Sequence, residues 1–136
     1  MTTKKHPPMV AAIIQHNGKI LCLDHVKEGK WTIPMGKVDE GEKNPLNAIR
    51  RELFEELDMT NVQTKHVVSV PLKMFTGDFA IWDVYKVNRY TGVIINKEPL
   101  KHLGLKYYSV AELQHLSDQN KAGFILRYLL DSNIFH

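Results

Sequence analysis

The chain has 136 residues, 43% of them hydrophobic and 24% charged, enough for one domain with a buried core and unlike a disordered or fibrous chain. Its formal charge of +3 suits a phosphate-bearing ligand, but the long basic runs of a dedicated nucleic-acid binder are absent. Cys22 is the only cysteine, which excludes an internal disulfide or a Cys-based zinc cluster and fits a reducing, cytoplasmic home. No stretch is long enough to cross a bilayer, and the basic, then briefly apolar start lacks a cleavage site, so a soluble, unprocessed protein is expected.

From Met9 to Leu23 two apolar runs flank "HNGK", and Asn17-Gly18 is a dipeptide that accepts positive φ at both centres of a type I′ turn, so a β-hairpin is expected. Residues 24–43 concentrate glycine, proline and charge in "EGKW", "IPMGK" and "DEGEKN", which reads as a long ordered loop or short strands. Asn44 followed by Pro45 marks a helix start, and Leu46, Ile49, Leu53 and Leu57 lie on one face of a helix over 45–57. Residues 62–72 and 79–89 are rich in β-branched and aromatic side chains and read as strands. The loops "TGD" and "NKEPLKHLG" interrupt the β segments, and "KYYSV" supplies a last short strand. Ser109 and Glu112 have capping-box spacing, and "KAGFILRYLL" reads as a C-terminal helix despite Gly123. Strands and helices mix without strict alternation, repeats or a linker, which defines a single α/β or α+β domain over 1–136 with helices against a mixed sheet.

The 45–57 helix carries an oddity. Glu52, Glu55 and Glu56 fall within an arc of about 100° beside the leucine stripe, as i,i+3 and i,i+4 like-charge neighbours near the negative end of the helix dipole. Such pairs weaken a helix by roughly a few tenths of a kcal/mol each. A hard divalent cation gives them a purpose, because Mg²⁺ or Mn²⁺ takes oxygen ligands and two or three carboxylates one turn apart can hold it. Taken alone, "RRELFEEL" equally describes a solvated acidic face with Arg51 paired to Glu55.

The surrounding residues decide between these. "WTIPMGKVDEGE" followed by the glutamate helix resembles the Nudix box: Gly36 and Glu42 have the family spacing, and Arg51, Glu52, Leu53, Glu55, Glu56 and Met59 supply the rest. The resemblance extends along the chain, from the hairpin before the box to the C-terminal helix. Three positions depart from the pattern: eight residues instead of seven separate Glu42 from Arg51, Asp58 replaces a glycine, and Met35 stands where many members carry a second glycine. The extra residue falls in "EKN" before the N-cap, so spacing inside the helix is untouched, while the loop bearing Glu42 must bulge. Asp58 suits a helix-ending, left-handed position better than most residues do.

The resemblance implies an α/β/α sandwich with a mixed β-sheet between helices, and hydrolysis of a nucleoside diphosphate linked to another group by water attack on phosphorus, with Mg²⁺ as cofactor and Mn²⁺ as a substitute. It implies metal ligation by Glu52, Glu55, Glu56 and the Gly36 carbonyl, with Arg51 holding one glutamate in its rotamer. Glu98 in "NKEPLKHLG" is a candidate further ligand or base, as fitting as an exposed loop glutamate. Lys37, Glu42, His25 and Lys101 are candidates for meeting substrate, with Lys27 beside them, and Trp31, Phe75, Trp82 and Tyr90 include stacking candidates, although strand aromatics usually belong to the core. His66 reads as structural. The expected partner is a small nucleotide such as a nucleoside triphosphate, a nucleoside diphosphate sugar or a dinucleotide. No membrane is expected, nucleic acid enters only as an RNA 5′ end, and a homodimer is compatible with the chain. Two other readings stand beside this one: a Nudix-fold nucleotide sensor whose altered loop has abolished turnover, and an RNA 5′-end pyrophosphohydrolase.

Overall fold

In the computed structural model, which describes residues 6–74 and 76–135, Asn17 and Gly18 take φ of 51° and 75°, as the type I′ turn requires. They link β2 (Gln15–His16) to β3 (Lys19–His25), and β1 (Met9–Ile13) precedes them. The glycine-rich stretch that follows holds two short strands, β4 (Lys30–Thr32) and β5 (Met35–Lys37). Then come α1 (Pro45–Leu57), β6 (Thr60–Lys73), β7 (Phe79–Thr91), β8 (His102–Ser109), α2 (Val110–Asp118) and α3 (Phe124–Asp131).

The strands form two sheets. One is mixed, in the order β5-β1-β7-β6, with β1 parallel to β7 and the other pairs antiparallel. The other is antiparallel, with β3 between β4 and β8. One core cluster packs α1 through Ile49, Leu53 and Leu57 against Val10, Ala12, Leu21 and Leu23. A second packs α2 and α3 through Leu113, Ile125, Leu126 and Leu129 against Met9, Ala11, Ile20 and Trp82. Helices thus cover both sides of the β-layers, in keeping with the expected sandwich. Among the described residues no helix is long and apolar enough to cross a membrane.

Several element ends differ from the sequence expectation for reasons of pairing. β6 and β7 reach to Thr60 and Thr91 because each strand supplies hydrogen bonds to the other beyond its apolar stretch, ending at the Thr60–Thr91 pair. β8 begins at His102 instead of Lys106 because its pairing with β3 resumes past a register shift between Leu23 and His25, setting His25 opposite His102. The C-terminal helix starts at Phe124, with Gly123 as its extended N-cap. A Cβ on Gly123 would collide with the Glu28 carboxyl, which accepts from Phe124 N at 3.3 Å. Ser109 and Glu112 form a complete capping box at α2.

Candidate active site

Local chemistry fixes α1 at both ends. Asn44 Oδ1 accepts from Asn47 N at 2.9 Å, and Pro45 occupies the first turn. At the other end Asp58 adopts φ 62°, with Asp58 N donating to Phe54 O and Met59 N to Leu53 O, a left-handed (αL) cap that Asp tolerates. The apolar stripe seats the helix, and Glu56 shares that buried face at 4% exposure.

Lys97 anchors the following loop to the end of α1. Lys97 N donates to Glu56 O at 2.9 Å, and its ammonium lies 3.4 Å from both Phe54 O and Asp58 Oδ1 and 4.4 Å from the Phe54 ring centre. Asn96 clamps the next residues, donating from Nδ2 to His102 O at 2.7 Å and accepting from Glu98 N at 3.2 Å. The loop therefore presents Glu98 beside the helix acids, and Glu98 pairs with Lys101 at 2.9 Å.

Arg51 organises the acids. Its guanidinium reaches Glu52 at 2.9 Å, Glu42 at 3.0 Å, Asp39 and Glu55 at 3.3 Å, and the Lys37 carbonyl at 3.0 Å. The extra loop residue is absorbed without loss of Glu42, whose carboxylate also accepts from Asp39 N at 2.7 Å. Those bonds, Arg51 first, hold the Glu42 carboxyl below its ordinary range, and the same acids raise the Arg51 guanidinium further. Glu42, expected to meet substrate, is thus committed to Arg51. Glu55 points outward, half exposed, touching only the Arg51 edge of the cluster.

Glu52 and Glu56 line a cavity of about 350 Å³ together with Gly36, Lys37, His25, Lys27, Lys101 and His102. Burial pushes the Glu56 carboxyl up to about 10, helped by the neighbouring charges of Glu52 and Glu98, and burial raises Glu52 as well, against the pull of Glu56 and Arg51. Glu56 Oε2 is buried without a hydrogen-bond partner, a costly state that a bound cation would relieve. Gly36 leaves room for the Glu52 carboxyl in this position, since a Cβ there would collide with it.

These residues fit a hard cation: oxygen donors, a partnerless buried oxygen and a cradle open only because residue 36 is glycine. Among the described residues no three acids or histidines converge on one point. A cation here would therefore take the Glu52 and Glu56 carboxylates and complete its shell with water and ligand oxygens.

His25 and His102 face each other at 5.7 Å between ring centres, and burial lowers the affinity of both for a proton. His25 Nδ1 accepts from Glu28 N at 3.0 Å, so the neutral ring carries its proton on Nε2. Buried His102, with Nδ1 unpartnered, was not visible to sequence reasoning: it sits in a loop-like stretch without a motif and enters the site only through its pairing with His25.

The aromatic candidates separate. Trp82 lines the cavity, whereas Trp31 packs edge-on against Tyr108 at 5.1 Å within the core. Tyr90 is exposed near the end of β7, and Phe75 lies outside the described residues. His66 bonds Asp83 at 2.8 Å and meets Tyr85 edge-on, a structural role.

An acid-bearing helix at the mouth of a cavity, set against a mixed sheet between helices, defines a class of fold, and comparison with known proteins identifies it. The NUDIX domain family model matches residues 4–128, so the chain belongs to the NUDIX family. A MutT NUDIX hydrolase from Burkholderia pseudomallei has a similar structure, with a TM-score of 0.69 and 27% identity over 79% of this chain and 86% of that one. The E. coli ORF135 protein gives a TM-score of 0.66 and 31% identity over 81% of this chain and 79% of that one. An RNA pyrophosphohydrolase of Helicobacter pylori strain G27 is 38% identical over a 69-residue alignment, and 46% of this chain is covered. The match spans 44% of that relative's length.

Proposed function

We propose that the chain is a divalent-cation-dependent pyrophosphohydrolase that cleaves a nucleoside diphosphate linked to another group, by attack of water on phosphorus. The observation that carries this reading is the pairing of buried Glu56 with partly buried Glu52 on the wall of a cavity that also holds Lys37, Lys101 and His25. Such a pair weakens the empty fold and gains its purpose from a cation shared with an anionic ligand.

A bound Mg²⁺ would neutralise phosphate oxygens and acidify a coordinated water. The chain supplies the rest. Glu52 and Glu56 would hold the cation, while Arg51 fixes the Glu52 rotamer through a charge-assisted hydrogen bond and Gly36 leaves room for that carboxylate. Lys37 and Lys101 attract the diphosphate, and His25 lines the same wall. The proton of the attacking water passes to a carboxylate, Glu98 on the clamped loop or Glu52. Glu42 acts indirectly, by bracing Arg51. The buried free thiol of Cys22 accords with a cytoplasmic setting.

A second reading, an RNA 5′-end substrate, is favoured by the likeness to the Helicobacter pylori enzyme. A panel of nucleoside triphosphates, nucleoside diphosphate sugars, dinucleotides and triphosphorylated RNA, assayed with Mg²⁺ for phosphate, pyrophosphate or monophosphate release, tests both. Turnover by the wild type that Glu56→Gln abolishes supports the proposal. Equal rates in both proteins, or none on any substrate, would leave a nucleotide-binding module instead, and higher activity on triphosphorylated RNA than on free nucleotides selects the second reading.

A further inference from the structure

The cavity that ends at Glu52 and Glu56 continues over the face of the mixed sheet, and its character changes there. Met9, Met35 and Trp82 share that face, because Met9 pairs with Trp82 across β1 and β7, and Met35 pairs with Ala11 two residues further along β1. Met74, Phe124 and Ile125 complete this end. Three of the six residues are methionines, the unbranched side chain that adapts to differently shaped surfaces. Among the described lining residues there is no Asn, Gln, Ser or Thr. The acid that reaches this end, Glu28, is held by Phe124 N, and Trp82 Nε1 is a buried donor without a partner.

We propose, resting on the nucleotide reading above, that this methionine-lined end receives the nucleobase and does not select among bases. Strong discrimination requires buried polar groups that the wrong ligand leaves unpaired, worth about 10⁴-fold or more, whereas apolar pockets separate similar ligands by only about 10- to 200-fold. Among the described residues of this end, the Trp82 N–H is a buried side-chain donor without a partner, and every nucleobase carries a ring-nitrogen or carbonyl acceptor that can meet it. Flexible thioethers fit purine and pyrimidine alike. A volume of about 350 Å³ lies within the usual range for a small-molecule site.

Two measurements decide the matter. The first compares kcat/KM for ATP, GTP, CTP and UTP, which should agree within about tenfold, and Met35→Gln, which places an amide in the bed, should widen that spread. The second needs neither metal nor turnover. In Trp31→Phe the only remaining tryptophan is Trp82, and its fluorescence should be quenched by AMP, GMP, CMP and UMP with affinities within tenfold of one another. The same titration of the wild type, where Trp31 adds a constant background, guards against loss of fold in the variant.

Hydrolysis with a preference above 100-fold for one base overturns the inference while leaving the hydrolase reading intact. If that preference is for bases bearing an exocyclic amine, Glu28 is the reader. Quenching by all four monophosphates without hydrolysis of any nucleotide does the reverse: the catalytic reading falls and the base site stands. No quenching by any monophosphate overturns the inference.

Discussion

Helices α1 and α2 both begin with a side-chain cap, yet they place their glutamates in opposite circumstances. Glu112 of α2 lies near the positive end of its helix, exchanges hydrogen bonds with Ser109, and has its carboxyl held below the ordinary range by the Ser109 backbone N–H first and the Ser109 hydroxyl second. Glu56 of α1 lies near the negative end, on the apolar face, among other acids, and burial drives its carboxyl the other way. One glutamate serves the fold. The other opposes it, and the proposed cation and anionic ligand would give its position a purpose.

Replacing the opposing acid should therefore separate activity from stability most sharply. Glu56→Gln keeps the shape and removes the ionisable carboxyl; turnover should fall by about 10²-fold or more, while thermal unfolding without metal should shift upward or stay unchanged. A variant that lost stability along with activity would place Glu56 among the structural residues instead.

The pH dependence carries the same contrast in sign. The folded chain retains the Glu56 proton that the unfolded chain releases above its ordinary value of 4.5, so this group's contribution to stability falls as pH rises from 4.5 toward about 10. Glu112, with its carboxyl lowered, contributes stability above its unfolded value and loses it as pH falls through the folded one. Calorimetric unfolding in EDTA should show a downward slope between about pH 4.5 and about 10, and Glu56→Gln should flatten it. An unchanged slope in the variant would assign the effect to another group.

Smaller effects follow from the parts that hold the acids in place. Gly36→Ala forces the Glu52 carboxyl aside and should reduce kcat by about 100-fold, with the circular dichroism spectrum preserved. Asn96→Ala frees the loop that presents Glu98 and should cost about tenfold, read as a change in kcat at near-constant KM. An effect confined to KM would mean that the loop serves binding alone. Smallest of all, Ser109→Ala removes the α2 cap, which costs about 1 kcal/mol of stability and leaves kcat/KM unchanged.

The same contrast explains what could be read before any coordinates. Local chemistry was legible: the Asn17-Gly18 turn, the Asn44-Pro45 start, the Asp58 end and the Ser109–Glu112 box depend on residues close in sequence, and each forms as expected. The acid spacing inside α1 was legible for the same reason. Contacts made across the chain were not. Asp39 joins Arg51, Asn96 bridges Glu98 to His102, and Met9, Met35 and Trp82 meet on one face only because strand pairing brings them together. The longer β6, β7 and β8 belong to this group too, since a partner strand can extend pairing past the point where side-chain pattern signals it.

The central claim is that Glu56 weakens the metal-free fold in order to hold a cation. Thermal unfolding of wild type and Glu56→Gln, each in EDTA and over a Mg²⁺ series, tests it most directly. The wild type should begin no more stable than the variant and rise steadily with Mg²⁺, while the variant gains little. Parallel rises in the two proteins, or a variant that unfolds well below the wild type in EDTA, would contradict it.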